Sequence, residues 1–317
     1  MHQADNENVD GEKVEVGNCI LLLLPLKTAA WHQLHDSIRG AGNRLFSNDA
    51  SATQYDAQSI KSFDSNGFTI GTSSDFTGDC VAWVWKGGGD DVLNEEGTID
   101  SQVSANTEAG FSIVSYTGNG TAGATVGHGL DYPPEMVIVK QRNSVTGRNW
   151  DTYHTSIGAS NVVFLNKTDA STAATSFNNT NPSSSVITLG NLASTNGTSQ
   201  SNTYIAYCFH SVAGYSKIGS YSGTGIDGNA IYLDSNGDGT GTGGFQPSFI
   251  LIKRTDSPDN WNIVDDKRGN NGLFPDVSSQ ELSNSGAVVF NTNGFTINGG
   301  AGGYNNSSGT YLYMAFK

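Results

Sequence analysis

Four sequence blocks recur in the same order along this 317-residue chain, so the chain must fold into copies of one unit. The first block is Ser115-Tyr-Thr-Gly-Asn-Gly120, which returns as Ser220-Tyr-Ser-Gly-Thr-Gly225. The second is a proline, an apolar run and a lysine. It spans Pro134 to Lys140 and Pro247 to Lys253, and Trp150 and Trp261 follow. A degenerate copy, Ile20 to Lys27, is followed by Trp31. The third block is Phe63-Asp-Ser-Asn-Gly-Phe-Thr-Ile70 and Phe290-Asn-Thr-Asn-Gly-Phe-Thr-Ile297, with a looser middle counterpart at Val186 to Leu189. The fourth is a closing segment: Val81 to Trp85, Ile205 to Phe209 and Leu312 to Phe316. The blocks repeat at intervals of about 105–125 residues. They divide the chain into modules at 19–86, 111–210 and 215–317. A connector spans 87–110, and residues 1–18 form an acidic tail that is disordered or anchoring. The first module has no Ser-Tyr-x-Gly-x-Gly segment ahead of its apolar run. It lacks those edge elements, or takes them from another chain or from residues 1–18.

Each block reads as a strand punctuated by turns. Forty glycines, with many Ser, Thr and Asn, replace the charged residues, which make up only 15% of the chain. Such a composition favours short strands and tight turns over helices. Asn66-Gly67 and Asn293-Gly294 match the type I′ hairpin preference. The runs Met136–Val139 and Phe249–Ile252 are bounded by proline and lysine, as central buried strands are. The predicted fold is all-β: tandem antiparallel β-sandwich modules, each of about 100 residues. Their sheet edges are expected to be covered by neighbouring modules or by other copies of the chain.

The chemistry-bearing residues are sparse. A net charge of −14 argues against nucleic-acid partners, which need clustered Lys and Arg, and against docking on anionic lipid. No apolar run reaches the ~18 residues of a membrane span, so no membrane insertion is expected. Cys19, Cys80 and Cys208 are odd in number and lack CxxC spacing, which fits buried small apolar residues. His35-Asp36 and His154 stand at matching distances after tryptophans, but the third module has Asp265-Asp266 there and no nucleophile recurs beside them. Asp234, Asn236 and Asp238 resemble the start of a Ca2+ loop. Phe245 falls where a bidentate glutamate is needed, so the run reads as a plain turn or, alternatively, a low-affinity metal site. No other cofactor is indicated. Trp31, Trp150 and Trp261 occupy equivalent places in the repeat. Core packing is their first reading and contact with a ligand or partner the second.

Several segments carry a resemblance. They are Trp31-His-Gln-Leu-His-Asp-Ser-Ile-Arg-Gly-Ala-Gly-Asn-Arg-Leu45, Ser65-Asn-Gly-Phe-Thr-Ile-Gly71, Ala109 to Gly120, Val126-Gly-His-Gly-Leu130 and Ala213 to Tyr221. Together they resemble the tandem repeat module of virion proteins from tailed bacteriophages, especially phages of marine bacteria. The resemblance implies a lectin- or jelly-roll-like sandwich on the particle surface, in capsid appendages or tail fibres, and it brings no catalytic residues. The expected function is a non-enzymatic structural protein on the virion surface: capsid decoration, a knob-like appendage or a tail-fibre component. Its expected partners are other virion proteins and further copies of itself. The alternative is an adhesin in which Trp31, Trp150 and Trp261 recognise host surface polysaccharide. A depolymerase would need facing carboxylates, and no such pair is visible.

Overall fold

The middle repeat shows most fully why these segments become strands. A computed structural model describes residues 2–5, 18–76, 78–144, 146–198, 201–269, 271–283, 287–300 and 302–317. Met136–Gln141 is buried at every position, as a strand central to two layers must be. It pairs antiparallel with a return strand, Asp151–His154, on one side and the closing strand, Thr203–Phe209, on the other. The opening strand Phe111–Thr117 follows the closing strand, then Ser101–Asn106 and Val92–Asn94. Asn161–Phe164 and Thr172–Ala173 extend the other side, which makes eight strands among the described residues. A small sheet, Ala124–Gly127 against Val186–Leu189, covers one face. Val114, Val137, Val139 and Tyr204 of the large sheet meet Val126, Ile187 and Leu189 of the small one. Two antiparallel layers on one core make a sandwich.

The third module repeats this in fewer strands, ordered Ser216–Ser222, Thr310–Phe316, Phe249–Arg254, Trp261–Asp265. Its second layer is Asn229–Tyr232, Gly294–Ile297 and Val288–Asn291. In the first module the order is His2–Asp5, Cys80–Lys86, Cys19–Pro25, Gln33–Asp36, Asn43–Phe46, Gln54–Tyr55. Its second layer is the hairpin Ile60–Asp64 with Gly67–Ile70. Pairing registers fix the equivalences residue by residue. Leu22 lies opposite Trp83, Ile138 opposite Tyr207, and Leu251 opposite Met314. Two steps along, Leu24, Lys140 and Lys253 are equivalent, opposite Val81, Ile205 and Leu312.

The modules are not separate bodies in a row. Side chains alternate across a strand, and in each large sheet the face turned away from its own small sheet packs into one common core. Ile20, Leu22, Trp83 and Trp85 meet Met136, Ile138, Tyr207 and Phe209, and these meet Phe249, Leu251, Met314 and Phe316. The equivalent residues Trp85, Phe209 and Phe316 form a triangle with ring centroids 6.4, 6.2 and 5.8 Å apart. A pseudo-threefold axis passes through it. The packing leaves an apolar void of about 40 Å³ beside Ile20, Trp85, Phe209 and Met314, with no polar wall to hold a water.

Several expectations change on this frame. Residues 87–110 are not a bare connector, because Val92–Asn94 and Ser101–Asn106 extend the middle sheet. The tail is not wholly unstructured. His2–Asp5 pairs with Cys80–Lys86 and supplies the opening strand that the first module otherwise lacks. Residues 1 and 6–17 of that tail lie outside the described residues. The Asn-Gly hairpins form, but their loop residues are Ser65-Asn66 and Thr292-Asn293, since Asp64 pairs with Gly67 and Asn291 with Gly294. None of these four has a positive φ, so the turn is not type I′. Gly294 instead starts the second strand at φ 149°, where a Cβ would stand 2.1 Å from the Ile231 carbonyl oxygen. Among the described residues no helix is long and apolar enough to cross a membrane.

Candidate functional site

Polar side chains collect where the modules abut, and the same bonds recur around the axis. At the seam of modules one and two, Thr53 N–H donates to Arg142 C=O at 2.7 Å. Between modules two and three, Ser171 N–H donates to Thr255 C=O at 2.8 Å. Between three and one, Glu281 N–H donates to Leu26 C=O at 2.9 Å. Arg142, Thr255 and Leu26 each stand two residues beyond an equivalent of Lys140, so the modules close into a ring.

Lys140 and Lys253 have no accessible surface, yet each ammonium has two acceptors. Lys140 Nζ donates to Ala50 C=O and Arg148 C=O at 2.7 and 2.6 Å. Lys253 Nζ donates to Thr168 C=O and Asp259 C=O at 2.9 and 2.6 Å. Each lysine joins its own module to the preceding one. Desolvation pushes both amines down to about 8, so the ammonium is held by carbonyl dipoles against a burial cost. At the third seam the equivalent residue is Leu24, which carries no charge. Lys27, read from the sequence as the degenerate counterpart, is instead an exposed partner of Asp79.

The tryptophans follow the same logic. Trp150 Nε1 donates to Phe46 C=O and Asp49 C=O at 3.0 and 3.1 Å, across the first seam. Trp261 Nε1 donates to Phe164 C=O at 2.9 Å, across the second. Neither has accessible surface, so neither can stack on an external ligand. Trp31 is not their structural equivalent. Register places His32 in that slot, buried beside the main chain of Phe274 and Ser279, and burial holds its imidazole down to about 4. Trp31 lies one residue earlier, 45% exposed, in an edge-to-face contact with Phe46 whose ring centroids are 4.6 Å apart.

An asparagine supports each slot in the first two modules. Asn48 Oδ1 accepts His32 N–H at 3.1 Å, and Asn166 Oδ1 accepts Trp150 N–H at 3.0 Å. In the third module the residue is Asp276, buried beside the Trp261 main chain, and desolvation raises its carboxyl to about 7. Nearer the axis, Arg39 is fully buried. It pairs with Asp36 and donates to Leu34 C=O at 2.9 Å, while Tyr207 OH of the next module donates to Asp36 Oδ2 at 2.6 Å. At the third seam Arg268 pairs with Asp265 and Glu281, with its guanidinium 5.5 Å from the Trp83 ring centroid. Asp36 thus holds an arginine rather than serving His35. Burial, then the Arg39 charge, holds His35 down to about 3. His154 is buried and held at about 4.

The Asp234 loop is organised by its own residues. Asp234 Oδ1 accepts Gly237 N–H at 2.5 Å, and its Oδ2 accepts Gly241 N–H at 3.1 Å. Asn236 Nδ2 donates to Thr240 Oγ1 at 3.2 Å, and Asp238 Oδ1 accepts Thr240 N–H at 2.9 Å. That is the geometry of an Asx-type turn. Among the described residues no three His, Cys, Asp or Glu side chains gather to hold a metal. All three cysteines are buried, and desolvation raises the Cys208 thiol to about 12.

Sequence reasoning missed the seams, although one signal for them was visible. A lysine that ends an apolar run in two modules is a buried cation waiting for acceptors from a neighbour. No curated protein and no solved structure matches the chain. The model of a family described as a domain of unknown function, DUF7483, matches residues 24–317 and so takes in all three modules as one unit. The chain therefore belongs to the DUF7483 family.

Proposed function

We propose that this protein is a non-enzymatic structural component of a tailed-phage particle, on its surface as capsid decoration, knob-like appendage or tail-fibre part. The observation that carries the reading is the use made of the buried polar groups. Lys140, Lys253, Trp150 and Trp261 are engaged with main-chain carbonyls that lock modules together. A chain organised in this way yields a rigid block with an acidic, Ser-, Thr- and Gly-rich exterior, suited to display and shielding. The placement on a virion rests on the sequence resemblance. Its partners on this reading are other virion proteins and copies of itself. Quantitative mass spectrometry and immunogold labelling of purified particles test it. The protein should co-purify at stoichiometric copy number and label the outer surface; absence from intact particles rejects the reading.

A second reading, a host-glycan adhesin, is favoured by one residue. Trp31 presents an exposed indole on a rigid strand lead-in. Such a ring can stack on a sugar face. Trp31→Ala should then abolish binding to host polysaccharide while leaving the melting temperature unchanged.

A further inference from the structure

The second seam contains a cleft that the first seam fills. In the first, Arg142 lies against the opening strand and its Nη1 donates to Ser115 Oγ at 3.0 Å, within the field of Arg39 and Asp36. The equivalent residue in the second seam is Thr255. Arg142 N–H to Thr203 C=O and Thr255 N–H to Thr310 C=O are matching bonds of 2.8 Å. Where the first module has Asp36 and Arg39, the second has His154 and Ile157. The second seam has therefore lost two guanidinium groups and a carboxylate together. It keeps a cleft of about 470 Å³ lined by Ser156, Ser171, Ser220, Ser222, Thr255 and Thr310. Ile157 supplies apolar surface at its wall, while the rings of Tyr221 and Tyr311, 4.9 Å between centroids, stack behind it in the third module's own core. Among the described residues the opening strand Ser216–Ser222 is the edge of its sheet, whereas its equivalent Phe111–Thr117 is covered by the strand Ser101–Asn106.

We propose that this cleft binds a neutral sugar residue of a glycan. Hydroxyls both donate and accept, as the hydroxyls of a pyranose do. No charged side chain lines the cleft, so a carboxylated or cationic group entering it would lose hydration without compensation. The apolar side chain of Ile157 suits the C–H face of a sugar ring. The first seam shows that a cleft at this place accepts a flat hydrogen-bonding group, since the Arg142 guanidinium enters it and donates to Ser115 Oγ. This inference goes beyond a structural role and does not involve Trp31.

The test is a glycan array carrying neutral and acidic glycans, probed with the full chain and three variants. Thr255→Arg refills the cleft from within, as Arg142 does in the first seam. Ser220→Leu blocks it from the exposed strand, and Trp31→Ala leaves it intact. The expected result is binding to neutral glycans, weakened at least about tenfold by Thr255→Arg and by Ser220→Leu and unchanged by Trp31→Ala. Thermal melts confirm that each variant is folded; should Thr255→Arg unfold, Ser220→Leu decides alone. Binding of no neutral glycan, binding confined to acidic glycans, or binding that a folded cleft variant leaves intact overturns the proposal. Loss only in Trp31→Ala also overturns it, and supports the indole reading instead.

Discussion

An indole that donates to a carbonyl of the next module both fills volume and fixes where that module sits. Trp150→Phe separates the two roles. It keeps most of the apolar bulk but takes the indole donor away from Asp49 C=O and from Phe46 C=O, which retains only the Asp49 N–H at 3.2 Å. We expect a loss of about 1–3 kcal/mol in urea unfolding; a change within about 0.5 kcal/mol would mean that the bonds add little. Asp276 makes the opposite case, a residue the fold holds at a cost. It is a carboxyl where the two equivalent positions carry Asn48 and Asn166, and burial raises it to about 7 from an ordinary 3.8. The folded state therefore binds a proton more tightly than the unfolded state. Asp276 contributes most below about pH 4, and its contribution is lost as pH rises to about 7 and beyond. Asp276→Asn should raise the melting temperature at pH 8, by an amount on the order of 2–4 kcal/mol in stability, and the advantage should shrink steadily toward pH 4. Equal gains at both pH values would show that charge is not the cause.

At the scale of elements, the strands were legible and their mutual arrangement was not. The apolar runs, the closing strands and both hairpins announce themselves because burial and turn chemistry are local. The slot occupied by His32 was misread as Trp31 because register, not spacing from the apolar run, decides which residue enters a seam. Leu24, not Lys27, fills the lysine position for the same reason. Val92–Asn94 and Ser101–Asn106 looked like a connector because glycine and acidic residues surround them, and their strand character depends on an edge formed by Phe111–Thr117. The cleft at the second seam could not be read from sequence at all, since it exists only by comparison with Arg142. His2–Asp5 covers Cys80–Lys86 as Phe111–Thr117 covers Thr203–Phe209. Deleting residues 1–17 should therefore expose a long apolar strand edge. The truncated protein is expected to melt several degrees lower and to self-associate in light scattering; a monomer of unchanged stability would show that His2–Asp5 is dispensable.

At the scale of the molecule, three sandwiches have merged by giving one face of each large sheet to a common core. The repeat implied copies of one unit, and the described residues share one strand plan carried by large sheets of six, eight and four strands. Their outward faces, however, alternate apolar residues that a free-standing sandwich would have to shield some other way. Trp85, Phe209 and Phe316 meet only when all three modules are folded, so no module can lose its structure without exposing the core of the other two. Differential scanning calorimetry of the full chain tests this most directly. One shared core predicts a single transition whose van't Hoff and calorimetric enthalpies agree. Two or three resolved transitions, each with the enthalpy of about 100 residues, would show that the modules fold independently and contradict the account.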